Sequence, residues 1–552
     1  MNTGKYTRLE IFARALQTEG SIHVISSSGE CQRFPGGTAY YKWIKVPVDQ
    51  NAEYEIFCKG CQVSICYLSG CENILDEGVC YLEPDEKGRF IKREEAEWYD
   101  SPIREAYHFT PWKNWINDPN GLCWFKGYYH MFYQFNPHGQ RWSHMYWGHA
   151  ASRDLIHWTH LPVVLEPQQE ILDRPTELAG GAFSGSAVVQ EDEVIFYLTR
   201  SLGLPVDDEQ TVQQQWMMKS SDMMHFTEEE LVIGERPAKV SFDFRDPKVM
   251  RAEGRWFMVL GSALEEKAAI LLYESDDLKQ WDYTGPLLIE AEEGIRCVEC
   301  PDFFELDGKY LVIGALMHHQ DSFGRYQMSR YYTGDFKDGV FTEENRGWFD
   351  FCGNCYAMQS FEHEGRRISI GWISDFYGEH LEMENGVCGS MTIPREMHIR
   401  DNRLYLTPVK EMEELKEGSL YQGQGEEIFL EEITPNTYKA ELEFSEDISF
   451  KICLSENGGS RMMLINDEKG LRIKTHGVKS EHITFPADVD NVLKLEIFVD
   501  RRTAEVYIND GEAAGTKLFY DTSDHGCFIL HTDTPESIKK AEVFGMRSIW
   551  ER

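Results

Sequence analysis

Hydrophobic residues along the chain occur in short runs with little helical spacing, from about residue 20 to the end. Val, Ile, Phe, Tyr and Trp dominate these runs, and Gly, Asp, Asn and Pro separate them, which is the pattern of β-strands joined by turns. Only residues 7–17 and 409–416 favour short helices. The pattern therefore predicts an all-β protein. Clear strand candidates span residues 128–135, 187–198, 255–262 and 309–316.

A seven-residue motif recurs in the middle of the chain. Residues 152–158, 220–226 and 275–281 share a serine, an aspartate two positions later, an apolar residue after it and a final aromatic residue. Residues 333–341 form a looser fourth copy, and the copies start 68, 55 and 58 residues apart. Short strands that repeat at such intervals are typical of β-propeller blades. We expect about five blades between residues 105 and 400.

The two flanks of the chain differ from this repeat. The N-terminal hundred residues are rich in cysteine and short strands, whereas the strands after about residue 405 alternate apolar and polar positions. Such alternation is typical of an antiparallel β-sandwich in which each sheet has one face exposed to solvent. We therefore expect an N-terminal β-rich module over 1–104, a propeller over 105–404 and a C-terminal β-sandwich over 405–552.

Composition and charge exclude several classes of partner. The 552 residues carry 93 acidic and 55 basic side chains, a formal net charge of −38, which disfavours nucleic acid and anionic membrane surfaces. No run approaches the roughly 18 apolar residues of a membrane span, and the first residues lack the apolar core of a secretory signal. We expect a cytoplasmic protein whose 14 cysteines are mostly free thiols, with a small, imported, neutral substrate.

Three acidic residues lie at positions where a glycosidase could use them. Hydrolysis of a glycosidic bond usually needs two carboxyl groups, one to protonate the leaving oxygen and one to attack or to activate water. Asp118 lies in a dense turn signal, Asp246 follows Arg245 and precedes a proline, and Glu299 lies beside an apolar strand. Asp302 is a local competitor of Glu299. Each acid alone is also compatible with a surface turn or a structural ion pair.

Taken together, these positions resemble a known family. Ten motifs occur in the order seen in glycoside hydrolase family 32, which includes invertases, inulinases, levanases and sucrose-phosphate hydrolases. The resemblance covers about residues 105–552. The motifs are WINDPNG, YQFNP, WGHAASRDLIHW, FSGS, RDP, ECPD, YAMQSF, GWI, GSMTIPREM and VDRRTAEVYINDG.

The resemblance implies a five-bladed propeller with a funnel-shaped site, then a β-sandwich, and no cofactor or metal. It implies a retaining, exo-acting β-fructofuranosidase. The missing secretory signal then favours sucrose or short fructooligosaccharides such as inulobiose or kestose over polymeric inulin or levan. Asp118 matches the nucleophile of the family and Glu299 its acid/base. Asp246 matches the carboxylate that stabilises the transition state, with the substrate-binding Arg245 beside it. The residues that match walls of the terminal fructose pocket are Asn117, Gln134, Trp142, Phe183, Ser184 and Trp372.

Four positions depart from the pattern of the family. Val298 stands where an aromatic residue usually precedes the acid/base, and Asn354 stands where an aspartate is usual. His144 and Tyr146 replace residues that are common in the first blade. None of these departures removes a catalytic acid. All are expected near the pocket or its rim, so they bear on specificity.

Other interpretations remain open from the sequence alone. The same fructosyl-enzyme could transfer fructose to a sugar hydroxyl, and a relative of this fold could bind carbohydrate without cleaving it, although all three acids are present. Phosphorylated sucrose is disfavoured in so acidic a chain unless a local Lys/Arg pair binds it. The N-terminal module could wall the funnel, contribute only stability, or form a homodimer contact.

Cysteines and histidines raise the question of a metal site. None of the three Cys-x-x-Cys pairs has the spacing to another pair that a zinc site commonly shows, but the N-terminal cysteines keep a structural zinc hypothesis open. The histidines of the first blade are better explained as core residues. The cysteines are Cys58, Cys61, Cys66, Cys71 and Cys80, and the histidines are His149, His157 and His160.

Overall fold

The computed structural model describes residues 1–205, 209–320, 326–376, 386–457, 460–477, 481–519 and 525–550. Regular structure in these ranges is almost entirely β-strand, arranged in nine sheets, which confirms the all-β prediction. No helix in these ranges combines the length and hydropathy needed to cross a bilayer. The helices are α1 Ile74–Glu77, α2 Glu95–Tyr99 and α3 Gln169–Asp173, with 3₁₀ turns at Lys410–Leu415, within the predicted helix 409–416, and at Pro535–Ser537.

Eight strands form two sheets in the N-terminal region, in the orders β4-β1-β6-β7-β8 and β3-β2-β5. The helix predicted over 7–17 is wrong. Strand β1 pairs with β4 and β6, and Leu9, Ile11 and Phe12 are fully buried, so pairing and burial on both faces outweigh local preference. The strands are β1 Arg8–Ala15, β2 Ser21–Ser26, β3 Cys31–Pro35, β4 Lys42–Pro47, β5 Tyr54–Lys59, β6 Cys61–Ser69, β7 Cys80–Pro84 and β8 Phe90–Lys92.

Five mainly antiparallel sheets follow. The first has β9 Asn114–Phe125, β10 Tyr128–Asn136, β11 Tyr146–Ser152 and β12 Trp158–Leu165. The second has β13 Ala179–Gln190, β14 Glu193–Gly203, β15 Val212–Ser220 and β16 Glu230–Ile233. The third has β17 Val240–Ala252, β18 Arg255–Leu264, β19 Lys267–Ser275 and β20 Asp282–Ile289. The fourth has β21 Cys297–Leu306, β22 Lys309–Met317, β23 Ser329–Lys337 and β24 Val340–Trp348. The fifth has β25 Cys355–His363, β26 Arg366–Ile373, β28 Ser390–Met391, β29 Arg395–Arg400 and β30 Arg403–Pro408.

These five sheets are joined in a ring. Their first strands contact one another in the order β9, β13, β17, β21, β25 and back to β9. The segment after β26 supplies β27 (Val387–Cys388), which pairs in parallel with β9 and so joins the fifth sheet to the first. A ring of radial sheets is the arrangement of a propeller. The candidate strand at 187–198 is in fact the end of β13 and the start of β14, with a turn between them.

Each of the five first strands carries a β-bulge, in which two of its residues oppose a single residue of the next strand. A bulge bends the strand and re-aims side chains, and it is common beside active sites. Three bulge residues, Asp246, Cys300 and Ala357, have φ angles of +62°, +43° and +52°. The two bulge residues and the single residue opposite them are 117–118 and Gln134, 183–184 and Thr199, 246–247 and Leu260, 300–301 and Gly314, and 357–358 and Gly371.

The recurring serine motif forms one type of turn three times. In each copy the serine hydroxyl accepts two backbone N–H groups and the aspartate carboxylate accepts the next two. The apolar residue that follows the aspartate has a positive φ, 74° at Leu155 and 65° at both Met223 and Leu278. The looser copy at 333–341 is not such a turn, because it forms the hairpin between β23 and β24.

The C-terminal strands form two six-stranded antiparallel sheets that share an apolar core, in agreement with the predicted sandwich. One sheet has the order β31-β42-β33-β38-β39-β40 and the other β32-β41-β34-β35-β36-β37. The strands are β31 Lys416–Gly423, β32 Ile428–Ile433, β33 Thr437–Phe444, β34 Phe450–Asn457, β35 Ser460–Asp467, β36 Gly470–His476, β37 Glu481–Ile483, β38 Lys494–Asp500, β39 Thr503–Ile508, β40 Ala513–Leu518, β41 Gly526–Thr532 and β42 Ile538–Met546.

Candidate active site

A cavity of about 490 Å³ lies where the five first strands converge. It is lined by all ten residues that the sequence predicted for the site, and they come from all five sheets. Convergence of distant strands is what a ring of sheets provides, because the first strand of every sheet faces the centre. The ten residues are Asn117, Asp118, Gln134, Trp142, Phe183, Ser184, Arg245, Asp246, Glu299 and Trp372.

Asp118 lies in the bulge of β9 and lines the cavity. The Ser184 hydroxyl donates a hydrogen bond to its Oδ2 atom at 2.5 Å, and the Cys300 sulfur lies 3.5 Å from the same oxygen. Burial, together with Asp118, raises the pKa of the Cys300 thiol well above its ordinary value. Side chains from the second and fourth sheets therefore contact the Asp118 carboxylate, and the sulfur that touches it stays a neutral thiol.

Glu299 is held by two donors from different sheets. Arg245 donates from Nη2 to Oε1 at 3.1 Å, and the Tyr356 hydroxyl donates to Oε2 at 2.8 Å. The Glu299 side chain keeps 19% of its surface exposed. It therefore combines a fixed orientation with access to the cavity, as a group that exchanges protons with a bound molecule requires.

Asp302, the local competitor of Glu299, is directed away from the cavity. Its side chain is fully buried and accepts hydrogen bonds from the backbone N–H and the hydroxyl of Ser360, at 2.9 and 2.6 Å. Lys248 forms an ion pair with it at 3.3 Å. Asp302 is not among the residues that line the cavity, so the geometry favours Glu299.

Asp246 is the most deeply placed of the three acids. It is 3% exposed, and its Oδ2 atom accepts the Cys300 backbone N–H at 2.8 Å. Burial raises the pKa of Asp246 to about 7, although Arg245 lowers it in part, and the nearby Asp118 and Glu299 raise it further. Three carboxyl groups close enough to influence one another are a common feature of catalytic sites.

Arg245 is fixed by a buried charge pair. Its Nη1 atom lies 2.6 Å from Asp243 Oδ1, and Arg296 binds the same carboxylate through Nε and Nη2 at 2.8 and 2.9 Å. Gln213 adds a contact of 3.3 Å to Arg245 Nη1. The guanidinium is therefore held between Asp243 and Glu299, and it carries positive charge to the wall of the cavity.

Aromatic side chains form much of the remaining wall. The Trp115 indole donates to Asn117 Oδ1 at 2.7 Å and lies 5.5 Å from the Trp372 ring. Gly389 permits this arrangement, because a Cβ atom there would lie 2.7 Å from Trp372 Nε1 and 2.4 Å from a backbone oxygen. Trp142 differs from the others, since it is 49% exposed and stands at the rim. Flat apolar faces of this kind suit sugar rings and exclude water.

The four departures from the family pattern lie outside the lining of the cavity. Val298 packs in the apolar core of the third and fourth sheets, and Tyr146 is fully buried against Phe12 of the N-terminal region. Asn354 binds the Ser374 backbone oxygen. The fourth, His144, is also buried and lies in the same loop between β10 and β11 as Trp142. None of the four forms part of the cavity wall itself, although Val298 directly precedes Glu299 in the chain and Ser374, which Asn354 binds, directly precedes Asp375 of the wall.

Several wall residues were not singled out from the sequence. Tyr356 lies in a motif that was recognised, but nothing in the sequence links it to Glu299. Asp243 and Arg296 owe their role to each other and to Arg245. Asp375 and Phe376 also line the cavity, and the Phe376 ring contacts Trp372. The motif 242–250 contained a usable signal, since an acid two residues before the arginine can pair with it on one strand. The further lining residues include Gln213, Phe242, Tyr326 and Gln327.

The cysteines and the histidines near the first sheet bear on the question of a metal site. In the described ranges, the single group of three potential metal-ligand atoms within 4.8 Å of one another is Glu413, Glu441 and Glu496, which surrounds Lys439, and it contains no cysteine. The 14 cysteines all lie in the described ranges, and no two of them form a disulfide. The histidines pair with protein groups: His149 with His130, His157 with Asp154, and His160 with Tyr99.

Comparison with known proteins gives two family matches. The sequence model of the glycosyl hydrolases family 32 N-terminal domain matches residues 108–408, and that of the family 32 C terminal matches residues 430–544. The chain is 31% identical over 459 residues to a sucrose-6-phosphate hydrolase of Zymomonas mobilis, covering 76% of this chain and 86% of that protein. It is 30% identical over 505 residues to a levanase of Bacillus subtilis, covering 83% and 72%.

A solved glycoside hydrolase family 32 structure from Bifidobacterium adolescentis extends the match to the whole chain. It superposes with a TM-score of 0.93 at 30% identity and covers 100% of this chain and 99% of that one. The N-terminal sheets therefore have a counterpart in that structure, although the family sequence models leave residues 1–107 unmatched. The protein belongs to glycoside hydrolase family 32 and is a β-fructofuranosidase that hydrolyses O-glycosidic bonds.

Proposed function

We propose that this enzyme is a retaining exo-hydrolase that removes terminal β-fructofuranosyl residues from sucrose or from short fructooligosaccharides such as inulobiose or kestose. The observation that carries the proposal is the convergence of Asp118, Asp246 and Glu299, from three separate sheets, on one cavity with aromatic walls. We also propose that the ring consists of five blades, with domains over 1–104, 105–404 and 405–552.

The first half-reaction forms a fructosyl-enzyme. Asp118 attacks the anomeric carbon while Glu299 gives a proton to the departing glycosidic oxygen, so the carbon–oxygen bond to the leaving group breaks as the ester bond forms. The hydrogen bond from Ser184 orients the nucleophile. Asp246 accepts hydrogen bonds from ring hydroxyls, and its ionised form stabilises the positive charge that develops on the sugar.

The second half-reaction releases fructose. Glu299, now ionised, takes a proton from water, and the resulting hydroxyl attacks the anomeric carbon and displaces Asp118. Arg245 and Tyr356 keep Glu299 in the same place in both protonation states, because both bind it as donors. Two displacements at one carbon return the original β configuration.

A buried ion pair next to the bulges of β17 and β21 supports exo action on short chains. Lys248 and Asp302 follow the bulges of β17 and β21 and are buried in ion-pair contact outside the lining of the cavity. This pair occupies space behind the wall that carries Asp246 and Glu299, and we infer that a fructan enters the cavity by its end. The volume of about 490 Å³ lies in the ordinary range of small-molecule sites.

The charge of the cavity supports a neutral sugar over a phosphorylated one. Among the described lining residues, five are carboxylic acids and two are arginines. Both arginines, Arg245 and Arg296, bind Asp243. A phosphate would need an arginine or lysine free to bind it, and the acids would repel it.

A substrate panel tests the proposal. Sucrose, sucrose 6-phosphate, inulobiose, 1-kestose, levanbiose, inulin and levan are incubated with the enzyme, and the products are separated by chromatography. Fructose from the short neutral sugars, with little from the polymers, is the expected result. Lengthened products would instead make the enzyme a fructosyltransferase, and the absence of any cleavage would make it a binding protein.

Methanol as acceptor tests the retaining mechanism. The methyl fructofuranoside that forms does not mutarotate, so its configuration records the stereochemistry of the reaction. We expect the β anomer in the wild type and no methyl fructoside in Asp118→Asn. An α product would contradict the double displacement.

A further inference from the structure

We propose that the N-terminal module sets the affinity of the cavity for its sugar by holding the segment that carries Trp142, with Tyr40 as the positioning residue. We call residues 137–145, between β10 and β11, the rim loop. The proposal rests on the function proposed above. It gives a role to a region that the family sequence models leave unmatched.

Tyr40 holds the rim loop from both sides of Trp142. Its hydroxyl lies 2.9 Å from His138 Nδ1 and 3.1 Å from Nε2 of the same ring, and it forms a second hydrogen bond with the Ser143 side chain. Tyr40 is 9% exposed, and its ring lies edge-on to His138 at 4.8 Å and to His144 at 5.1 Å. One buried hydroxyl thus ties together positions that flank Trp142 in sequence.

The start of the rim loop has a second anchor in the N-terminal module. The Ser64 hydroxyl, on β6, donates a hydrogen bond to the Pro137 backbone oxygen at 2.6 Å. Asn114 of the first sheet donates to the same oxygen at 2.8 Å. The module therefore fixes the point where the loop leaves β10, and Tyr40 fixes its path farther along.

The position of Trp142 connects these anchors to sugar binding. Trp142 lines the cavity and lies 6.0 Å from Phe183 in an edge-to-face arrangement. The rim loop also contains Gly139, which favours many backbone conformations when unconstrained. Holding such a loop in its binding conformation raises affinity, because less ordering is needed when the sugar binds. Asp118 and Glu299 lie on strands, so the chemical step does not depend on the loop.

Steady-state kinetics of Tyr40→Phe test this role. Loss of the hydroxyl removes hydrogen bonds to the loop and keeps the ring, so we expect KM for sucrose and 1-kestose to rise about threefold to tenfold with kcat within about twofold. The matched control is Tyr54→Phe, which removes a hydroxyl of the same module that binds the Asp49 backbone. An unchanged KM, or an equal fall in kcat, would overturn the proposal.

A double-mutant cycle separates positioning from general stability. In a Trp142→Ala background the residue that Tyr40 positions is missing, so adding Tyr40→Phe should change KM by less than about 1.5-fold. The same several-fold rise in both backgrounds would show that Tyr40 acts by another route and would contradict the proposal.

Hydrogen exchange gives a readout that does not need turnover. We expect faster amide exchange at residues 138–145 in Tyr40→Phe and unchanged exchange in β9 and β10. Unchanged exchange in the rim loop would refute the anchoring. If the wild type releases no fructose from any substrate, the proposed function fails, and the exchange result still decides whether Tyr40 holds the loop.

Discussion

Two acids on one strand show how side-chain surroundings decide ionisation. Asp243 and Asp246 both lie on β17, three positions apart, and both are buried. Burial alone would raise the pKa of Asp243, but Arg245 and Arg296 bind it and lower its pKa below the ordinary value. Asp246 shares Arg245 with other acids, and its pKa is raised to about 7. The structural acid therefore stays ionised, while the acid of the cavity titrates in the physiological range.

Asp246→Asn should change the pH dependence of stability. Because the pKa of Asp246 is raised from 3.8 to about 7, its stabilising contribution is complete below about pH 4 and is lost as the pH rises through 7. The amide cannot ionise, so the variant should melt higher relative to wild type at pH 9 than at pH 5, and it should be less active. Thermal melting at the two pH values measures this. Asp243→Asn, with the opposite pKa shift, should lower the melting temperature at both.

Replacement of the two reacting acids should remove catalysis and keep the fold. We expect Glu299→Gln to lower kcat by about 10²–10⁴-fold, the range of general acid–base catalysis, and Asp118→Asn to lower it further because the covalent route is lost. Glu305→Gln, at an exposed position of the same strand as Glu299, is the control and should keep full activity. Near-normal turnover in either active-site variant would refute the assigned roles.

Much of the residue-level site could be predicted because short local motifs mark it. Asp118, Asp246 and Glu299 each lie in a bulge or directly before one, and the proline that follows each within two positions is visible in the sequence. Tyr356 could not be assigned, because its partner lies 57 residues away and on another sheet.

At the level of elements, the bulge is the unit that builds the site. The alternation of apolar and polar residues predicts strands. A bulge, however, is defined by two residues of one strand opposite a single residue of its partner, and the sequence of one strand does not reveal how many residues lie opposite it. The strands at 128–135, 255–262 and 309–316 are confirmed. The helix predicted over 7–17 failed for a related reason, since only the distant β4 and β6 make that segment a strand.

The contribution of the serine turns to stability can be tested at two of the three copies. Ser220→Ala and Ser275→Ala each remove an acceptor for two backbone N–H groups. Each should destabilise the protein by about 1 kcal/mol, and the two effects should add because the turns belong to different sheets. Melting curves of both single variants and the double variant measure this. Activity should be unchanged, since neither serine lines the cavity, and a fall in kcat/KM would contradict this view of the turn.

At the level of the whole molecule, a buried charged cluster joins the propeller region to the sandwich. His108 binds Asp500 at 2.8 Å and Glu505 at 3.1 Å, and Arg395 binds Glu505 at 2.8 Å. Asp500 also accepts three consecutive backbone N–H groups, at residues 106–108. Two recognised motifs, 389–397 and 499–511, meet here. The sequence could not predict this, because almost 400 residues separate His108 from its partners.

The cluster should make stability fall in alkaline solution. Burial alone would lower the pKa of His108, but its bonds to Asp500 and Glu505 raise it from 6.5 to about 9. Its contribution is complete below about pH 6.5 and is lost as the pH rises through 9. His108→Asn should therefore lower the melting temperature more at pH 6 than at pH 10. His225→Asn, at an exposed turn, is the control. If His108→Asn lowered the melting temperature equally at both pH values, this would contradict a charged His108 in the folded protein.

The parallel pairing of β27 with β9 has a consequence for synthesis on the ribosome. Val387 pairs with Asn114, so the strand that carries Asp118 gains this neighbour only after a further 273 residues have been made. At about 5–20 residues per second, that takes roughly 14 to 55 s. During this interval the edge of β9 that β27 later pairs stays unpaired on the nascent chain, and chaperones that bind exposed strand edges have that long to act before the ring is complete.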